Sequence, residues 1–211
     1  MKTTKHTHEY PYPEAIDKEN IAGMEKAAYN GAIHVIDTID KAEEAVKKLE
    51  KSSIIGFDSE TKPCFQKGCR TEVSLLQLCD MTDCYLFRLN ITGIPDSLIR
   101  LLENHHILKI GLSIKDDFTA LRRKRVFEPG GFVELQRLCP AYGIKDASLQ
   151  KIYAIIFGER ISKSQRLSNW EAAELTTSQQ LYAALDAWAC LRIFKELMLL
   201  PAPSPVQFAL L

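Results

Sequence analysis

Short apolar runs alternate with helix-length stretches along most of this chain, and that alternation restricts it to one broad fold class. Ser53-Ile54-Ile55-Gly56-Phe57-Asp58, Val73 to Cys79, Asp83 to Leu89 and Ile107 to Leu112 each have the length and apolar content of a strand buried in a sheet. The second and third are joined by the polar Asp80-Met81-Thr82, which predicts a hairpin. Ala32 to Ile36 and Phe132-Val133 add shorter strands. Helices are expected over Lys18 to Tyr29, Ala42 to Leu49, Pro95 to Asn104 and Ile114 to Lys124. Further helices are expected over Leu135 to Tyr142, Ser148 to Phe157 and Ser178 to Leu199. Strands in the first half, with helices interleaved and trailing, give an α/β domain built on a mixed sheet.

At 211 residues the chain predicts one domain over 17–200. A flexible polar arm precedes it over 1–16, broken by Tyr10-Pro11-Tyr12-Pro13, and a proline-rich tail follows over 201–211. Lys+Arg and Asp+Glu number 27 each, which excludes a strongly basic nucleic-acid coat protein but allows a basic rim around an acidic site. No run approaches the roughly 18 apolar residues of a membrane span. The start, Met1 to His8, has no apolar segment behind it and does not read as a secretion signal, so cytoplasmic residence is expected. Arg122-Arg123-Lys124-Arg125 leaves a nuclear address or a phosphate contact open, although a basic helix end is also what the helix dipole favours. In a reducing compartment the six cysteines are not expected to form disulfides. Cys79 and Cys190 read as small core residues, and the C-x4-C spacings of Cys64/Cys69 and Cys79/Cys84 do not complete a zinc set.

The functional signal is where acids interrupt apolar segments. Asp58 and Glu60 follow a strand directly, and residues two apart in extended chain project to one face. Asp116 and Asp117 fall in the first turn of a helix that begins after the apolar run ending at Leu112. Asp186 lies in the middle of Leu181 to Leu191, a segment apolar nearly all round, where an unpaired carboxylate is costly. Tyr182 is one helical turn before it on the same face. Singly, these are an acidic surface turn, a dipole-stabilised acid and a core oddity. Together they describe an oxygen-rich cation site, with carboxylates favouring Mg²⁺ or Mn²⁺ over Zn²⁺. Two such ions about 3.5–4 Å apart can clamp the attacking and leaving oxygens of a phosphodiester.

Asp58-x-Glu60, Gly111-x-x-Ile114-x-x-Asp117 and Tyr182-x-x-x-Asp186 resemble the three motifs of the DEDDy 3′–5′ exonucleases, the family of ribonuclease D and the Werner-type exonuclease domain. Ser168-Asn169-Trp170, Leu175-Thr176 and Gln180-Leu181-Tyr182-Ala183-Ala184 are especially similar to the Werner-like branch. A related branch has a His five residues before the last acid, where this chain has Leu181. The resemblance covers roughly residues 32–200 and implies a ribonuclease-H-like fold, a mixed five-stranded sheet flanked by helices. It implies that Asp58 bridges two ions, that Glu60 and Asp186 complete the first ion's shell, and that Asp117 holds the second through water. Asp117 rather than Asp116 fits the register set by Ile114 and Phe118. Tyr182 is implied to orient the attacking water and help deprotonate it, although an ordinary phenol pKa near 10 makes a poor resting base. Thr61, Lys62, Lys163 and Arg166 are the substrate-binding candidates, with Lys67 and Arg70 beside the entrance. The implied activity is metal-dependent hydrolysis at single-stranded or frayed 3′ ends of RNA or DNA, releasing nucleoside 5′-monophosphates. The rival reading is a catalytically silent adaptor of the same fold that binds nucleic acid or protein. Sugar preference and oligomeric state are not encoded in these motifs.

Overall fold

In the computed structural model, which describes residues 10–64 and 72–203, every apolar run named above forms a strand. The chain begins with α1 (Lys18–Ala22), β1 (Glu25–Lys26), β2 (Ala32–Ile36), α2 (Ile39–Leu49) and β3 (Ile54–Thr61). The hairpin β4 (Val73–Cys79) and β5 (Asp83–Phe87) follows, then α3 (Leu89–Thr92), α4 (Asp96–Glu103) and β6 (Leu108–Gly111). The second half contains α5 (Ile114–Lys124), β7 (Phe132–Glu134), α6 (Leu135–Leu138) and a 3₁₀ turn at Cys139–Tyr142. It ends with α7 (Leu149–Phe157), β8 (Glu159–Arg160) and the long α8 (Thr177–Leu197).

The main sheet has the order β2-β5-β4-β3-β6-β7, with β4 antiparallel to β3 and β5 and the other pairs parallel. The α/β class and the mixed sheet are as expected, but the strands number six rather than five. The apolar runs themselves predict six, and five was the number the resemblance implies; the outermost, β2, covers the outer edge of β5, and without it a buried strand would present a row of unpaired backbone groups. The helix expected over Lys18 to Tyr29 stops at Ala22, and the backbone beyond Gly23 pairs with β8 in a separate two-stranded sheet. A helix that short has little stability of its own, and pairing with β8 wins.

Every residue of β4 is buried, because the sheet is covered on both faces. One face packs on α8, through Leu75, Cys79, Leu86, Ala183, Ala184 and Ala187. The other packs on α2 and α4, through Phe57, Leu76, Leu78, Val46, Leu98 and Leu102. The approach of α8 is close: a Cβ on Gly56 would lie 2.0 Å from the Ala187 carbonyl oxygen. Glycine at β3 and alanines on α8 therefore let the helix backbone rest against the strand.

The described part of the N-terminal arm is docked on the domain. Tyr10 is buried, its ring 5.1 Å from that of Tyr142, and its hydroxyl donates to the Pro201 carbonyl. The Ile16 amide donates to Asp146 Oδ2 at 2.8 Å, and the Lys145 amide to the Glu14 carbonyl at 2.7 Å. Cysteine pairing also differs from expectation. Cys79 and Cys84 form a disulfide, and Cys64 is disulfide-bonded as well, while Cys139 and Cys190 are free and buried. The cause lies in the hairpin register, which sets Cys79 opposite Cys84 with Cα atoms 4.1 Å apart. Among the described residues, no helix is long and apolar enough to cross a membrane.

Candidate active site

Three elements converge at the end of β3. Asp58 and Glu60 leave this strand beside a register irregularity at Glu60/Thr61, where pairing with β4 shifts by one residue. Asp186 comes from the buried middle of α8 and is only 7% exposed. Its helix is fixed at the start by a reciprocal capping box between Thr176 and Gln179, and Gln179 Nε2 also donates to the Asn169 carbonyl. Tyr182, one turn before Asp186, brings its phenol hydroxyl toward that carboxylate. Wholly buried Trp170 lies 6.0 Å from the Tyr182 ring, so the Ser-Asn-Trp segment packs the tyrosine in place.

The third element is α5. Its N-terminal amides at Ser113 and Ile114 donate to the two oxygens of Glu134, at 3.0 and 2.8 Å, and the Gln136 amide donates there as well. Ser113 adopts a left-handed backbone, φ 63°, where the chain turns sharply from β6 into the helix. This anchorage sets Asp117 in the first turn, where Ser59 Oγ donates to its Oδ1.

Carboxylate oxygens of Asp58, Glu60 and Asp186 all lie within 4.8 Å of one another. Burial, followed by the charges of Asp117, Asp186 and Glu60, pushes Asp58 well above the usual carboxylate range. Burial, with Asp186 and Asp117, raises Glu60 to about 8 against the opposing pull of Arg166. Burial raises Asp186 to about 7, opposed by the Tyr182 hydroxyl and Lys163. Burial raises Asp117 to about 7 as well, with the Ser59 hydrogen bond opposing. The Tyr182 phenol is also raised, by burial and by Asp186 and Glu60. Asp186 Oδ1 is buried with no hydrogen-bond partner among the described residues. A cluster of like charges with an orphaned oxygen and an all-oxygen donor set fits hard divalent cations.

Asp58, Glu60, Lys163, Arg166, Tyr182 and Asp186 line one cleft of about 420 Å³. Asp117 stands behind it, reached through Ser59. Thr61 lies just past the register shift and is not part of this lining. Lys62 is drawn aside into an ion pair with Glu171, Nζ to Oε2 3.1 Å. Lys67 and Arg70 lie outside the described residues. Within the basic run, Lys124 pairs with Glu72, Arg125 with Asp96, and Arg122 Nε donates to the Phe127 carbonyl. Sequence reading missed Ser59, Glu134 and Gln136. Ser59 was visible as the residue between two acids, whereas nothing local marks Glu134 as the anchor of a helix 20 residues upstream.

Comparison with known proteins agrees with this geometry. A family model described as 3′–5′ exonuclease matches residues 33–200. The chain is 36% identical over 163 residues to the mouse bifunctional 3′–5′ exonuclease/ATP-dependent helicase WRN, covering 74% of this chain and 12% of that protein. It is 31% identical over 162 residues to an Arabidopsis thaliana 3′–5′ exonuclease, covering 73% of this chain and 56% of the relative. The chain thus spans between about an eighth and about half the length of these curated relatives. The crystal structure of the Aedes aegypti Nibbler EXO domain shares the fold at a TM-score of 0.73 and 24% identity, covering 87% of this chain and 99% of that one. Escherichia coli RNase D shares it at 0.71 and 21%, covering 79% of this chain and 44% of that one. With acids from β3, α5 and α8 gathered around a tyrosine one turn before the last of them, the chain belongs to the DEDDy-type 3′–5′ exonuclease family.

Proposed function

We propose that this chain is a divalent-cation-dependent exonuclease that removes nucleoside 5′-monophosphates from single-stranded or frayed 3′ ends of RNA or DNA. The observation that carries this reading is the Asp58–Glu60–Asp186 cluster, half-buried at the two β3 acids and buried at Asp186, with its unpartnered Asp186 Oδ1. Asp58, Glu60 and Asp186 would hold one Mg²⁺ or Mn²⁺, and Asp58 with Asp117 a second. Bound there, the cations supply positive charge that activates water and neutralises charge developing on the phosphate.

The rest of the chemistry falls to the chain's own groups. The terminal nucleotide enters the cleft with its phosphate toward Lys163 and Arg166, the cationic side chains in that lining among the described residues. Tyr182, one turn before Asp186 and packed by Trp170, orients the attacking water and helps to deprotonate it. The water oxygen forms a bond to phosphorus, the bond from phosphorus to the 3′ oxygen breaks, and the shortened strand keeps a 3′-hydroxyl. The test is digestion of 5′-labelled single-stranded RNA and DNA with Mg²⁺ or Mn²⁺, beside EDTA and Asp58→Asn controls. A ladder shortening from the 3′ end, reduced on the order of 10²–10³-fold in the variant, is expected. Intact oligonucleotide with folded protein and saturating cation refutes the proposal in favour of the silent adaptor.

A further inference from the structure

A second cavity lies apart from the acidic cleft. It is a groove of about 740 Å³ between the outer face of α5 and the edge strand β7. Lys115, Phe118, Thr119 and Arg122 follow one another at helical spacing along one face of α5, with Arg123 beside them. Phe132 and Arg137 close the opposite side. Phe118 and Phe132 are half-buried, ring centroids 4.7 Å apart in edge-to-face contact, so each keeps ring surface on the groove. Lys115, Arg123 and Arg137 are exposed, and none has an ion-pair partner among the described residues. The lone carboxylate in the lining, Glu134, is occupied by backbone amides of Ser113, Ile114 and Gln136.

The groove adjoins the proposed active site. Ser113 and Gln136 line the acidic cleft, and their neighbours Ile114 and Arg137 line the groove. The helix that carries Asp117 in its first turn carries the cationic stripe onward for about 12 Å, from Lys115 to Arg123. Unpaired cations beside partly exposed aromatic rings are the chemistry that holds single-stranded nucleic acid: phosphates on the cations, bases against the rings. Resting on the exonuclease reading of the adjoining cleft, we infer that this groove binds the nucleotides 5′ to the one being removed. Arg123 and Arg137 take their phosphates, and Phe118 and Phe132 take a base. The neutral overall charge is thereby reconciled with a polyanionic substrate: the positive field is local and lies next to the acids.

The test compares the full chain with Arg123→Ala/Arg137→Ala, whose side chains are exposed and outside the catalytic cluster. Three readouts are needed: hydrolysis of a 5′-labelled single-stranded 12-mer, hydrolysis of a nucleoside 5′-p-nitrophenyl phosphate small enough to occupy the cleft alone, and salt-dependent anisotropy of a fluorescent 12-mer with EDTA present. The expected result is a loss of tenfold or more in kcat/KM on the 12-mer with hydrolysis of the small ester unchanged. The log–log salt dependence of binding should become shallower by about 1.4, about 0.7 for each phosphate contact removed. Equal losses on both substrates, or unchanged 12-mer hydrolysis and salt slope, overturn the assignment and leave the groove to a different partner such as an acidic peptide. If neither substrate is cleaved by the parent, the exonuclease reading fails, while the anisotropy slope still decides whether the groove holds nucleic acid.

Discussion

Replacing Asp186 with asparagine should stabilise the cation-free protein while removing its response to cation. Burial holds Asp186 at about 7 against 3.8 for an ordinary carboxyl. The folded state therefore binds this proton more tightly than the unfolded chain does. That contribution is fully present below about pH 4 and is lost as pH rises through about 7. A difference of about three pH units, at ~1.36 kcal/mol each, sets a ceiling of about 4 kcal/mol at pH 8. Asparagine keeps the shape, and its amide can donate to the neighbouring carboxylates Asp58 and Glu60. In EDTA at about pH 8 the variant should thus melt higher than the parent by up to ~8–16 °C, at about 2–4 °C per kcal/mol. The gap should close toward about pH 4, where both states are protonated. Adding Mg²⁺ or Mn²⁺ should narrow the gap, since the parent gains ~2.7 kcal/mol at a hundredfold excess over Kd and the variant gains less. Thermal melts across pH, with EDTA and with each cation, read this directly. A variant less stable than the parent in EDTA at about pH 8, or a gap independent of pH, would refute the reasoning.

Three further substitutions probe how the site is held. Gly56→Ala puts a methyl against the Ala187 carbonyl at 2.0 Å, a backbone clash that should cost at least the upper end of the ~1–3 kcal/mol overpacking range, read by urea denaturation. Glu134→Gln leaves one acceptor oxygen for three backbone amides, so at least one is orphaned; a loss of ~1–3 kcal/mol with a lower kcat is expected, and full stability would show that α5 is anchored elsewhere. Ser59→Ala removes the hydrogen bond that lowers Asp117, so in EDTA its titration near 7 moves upward, read by NMR of the carboxyl carbon; an unmoved titration means Ser59 does not tune the site.

The acids were legible because each violated its local setting. Asp186 interrupts a helix apolar on every side, and Asp58 and Glu60 end a buried strand, so their chemistry showed in the sequence before any geometry did. Strands were legible for the same reason, each apolar run being too short for a helix. What stayed hidden depends on register or on distant partners. The Cys79–Cys84 pairing needs the hairpin alignment, and the early end of the first helix at Ala22 needs β8 as a partner for the backbone beyond it. Lys62 reads as a substrate contact until Glu171, 109 residues away, claims it.

Gly56 shows why the hidden part matters to function. In a strand, a glycine reads only as lost packing and added backbone entropy. Here it is one half of a device whose other half is the run of small residues Ala183, Ala184 and Ala187 on α8. A side chain at position 56, two residues before Asp58, would hold away the helix segment that carries Asp186. Carboxylates from two elements reach within 4.8 Å of one another, at the electrostatic cost seen in their raised pKa values, because backbone packs against backbone behind them. The acidic centre is therefore placed as much by the side chains missing from Gly56 and the alanines as by the acids themselves.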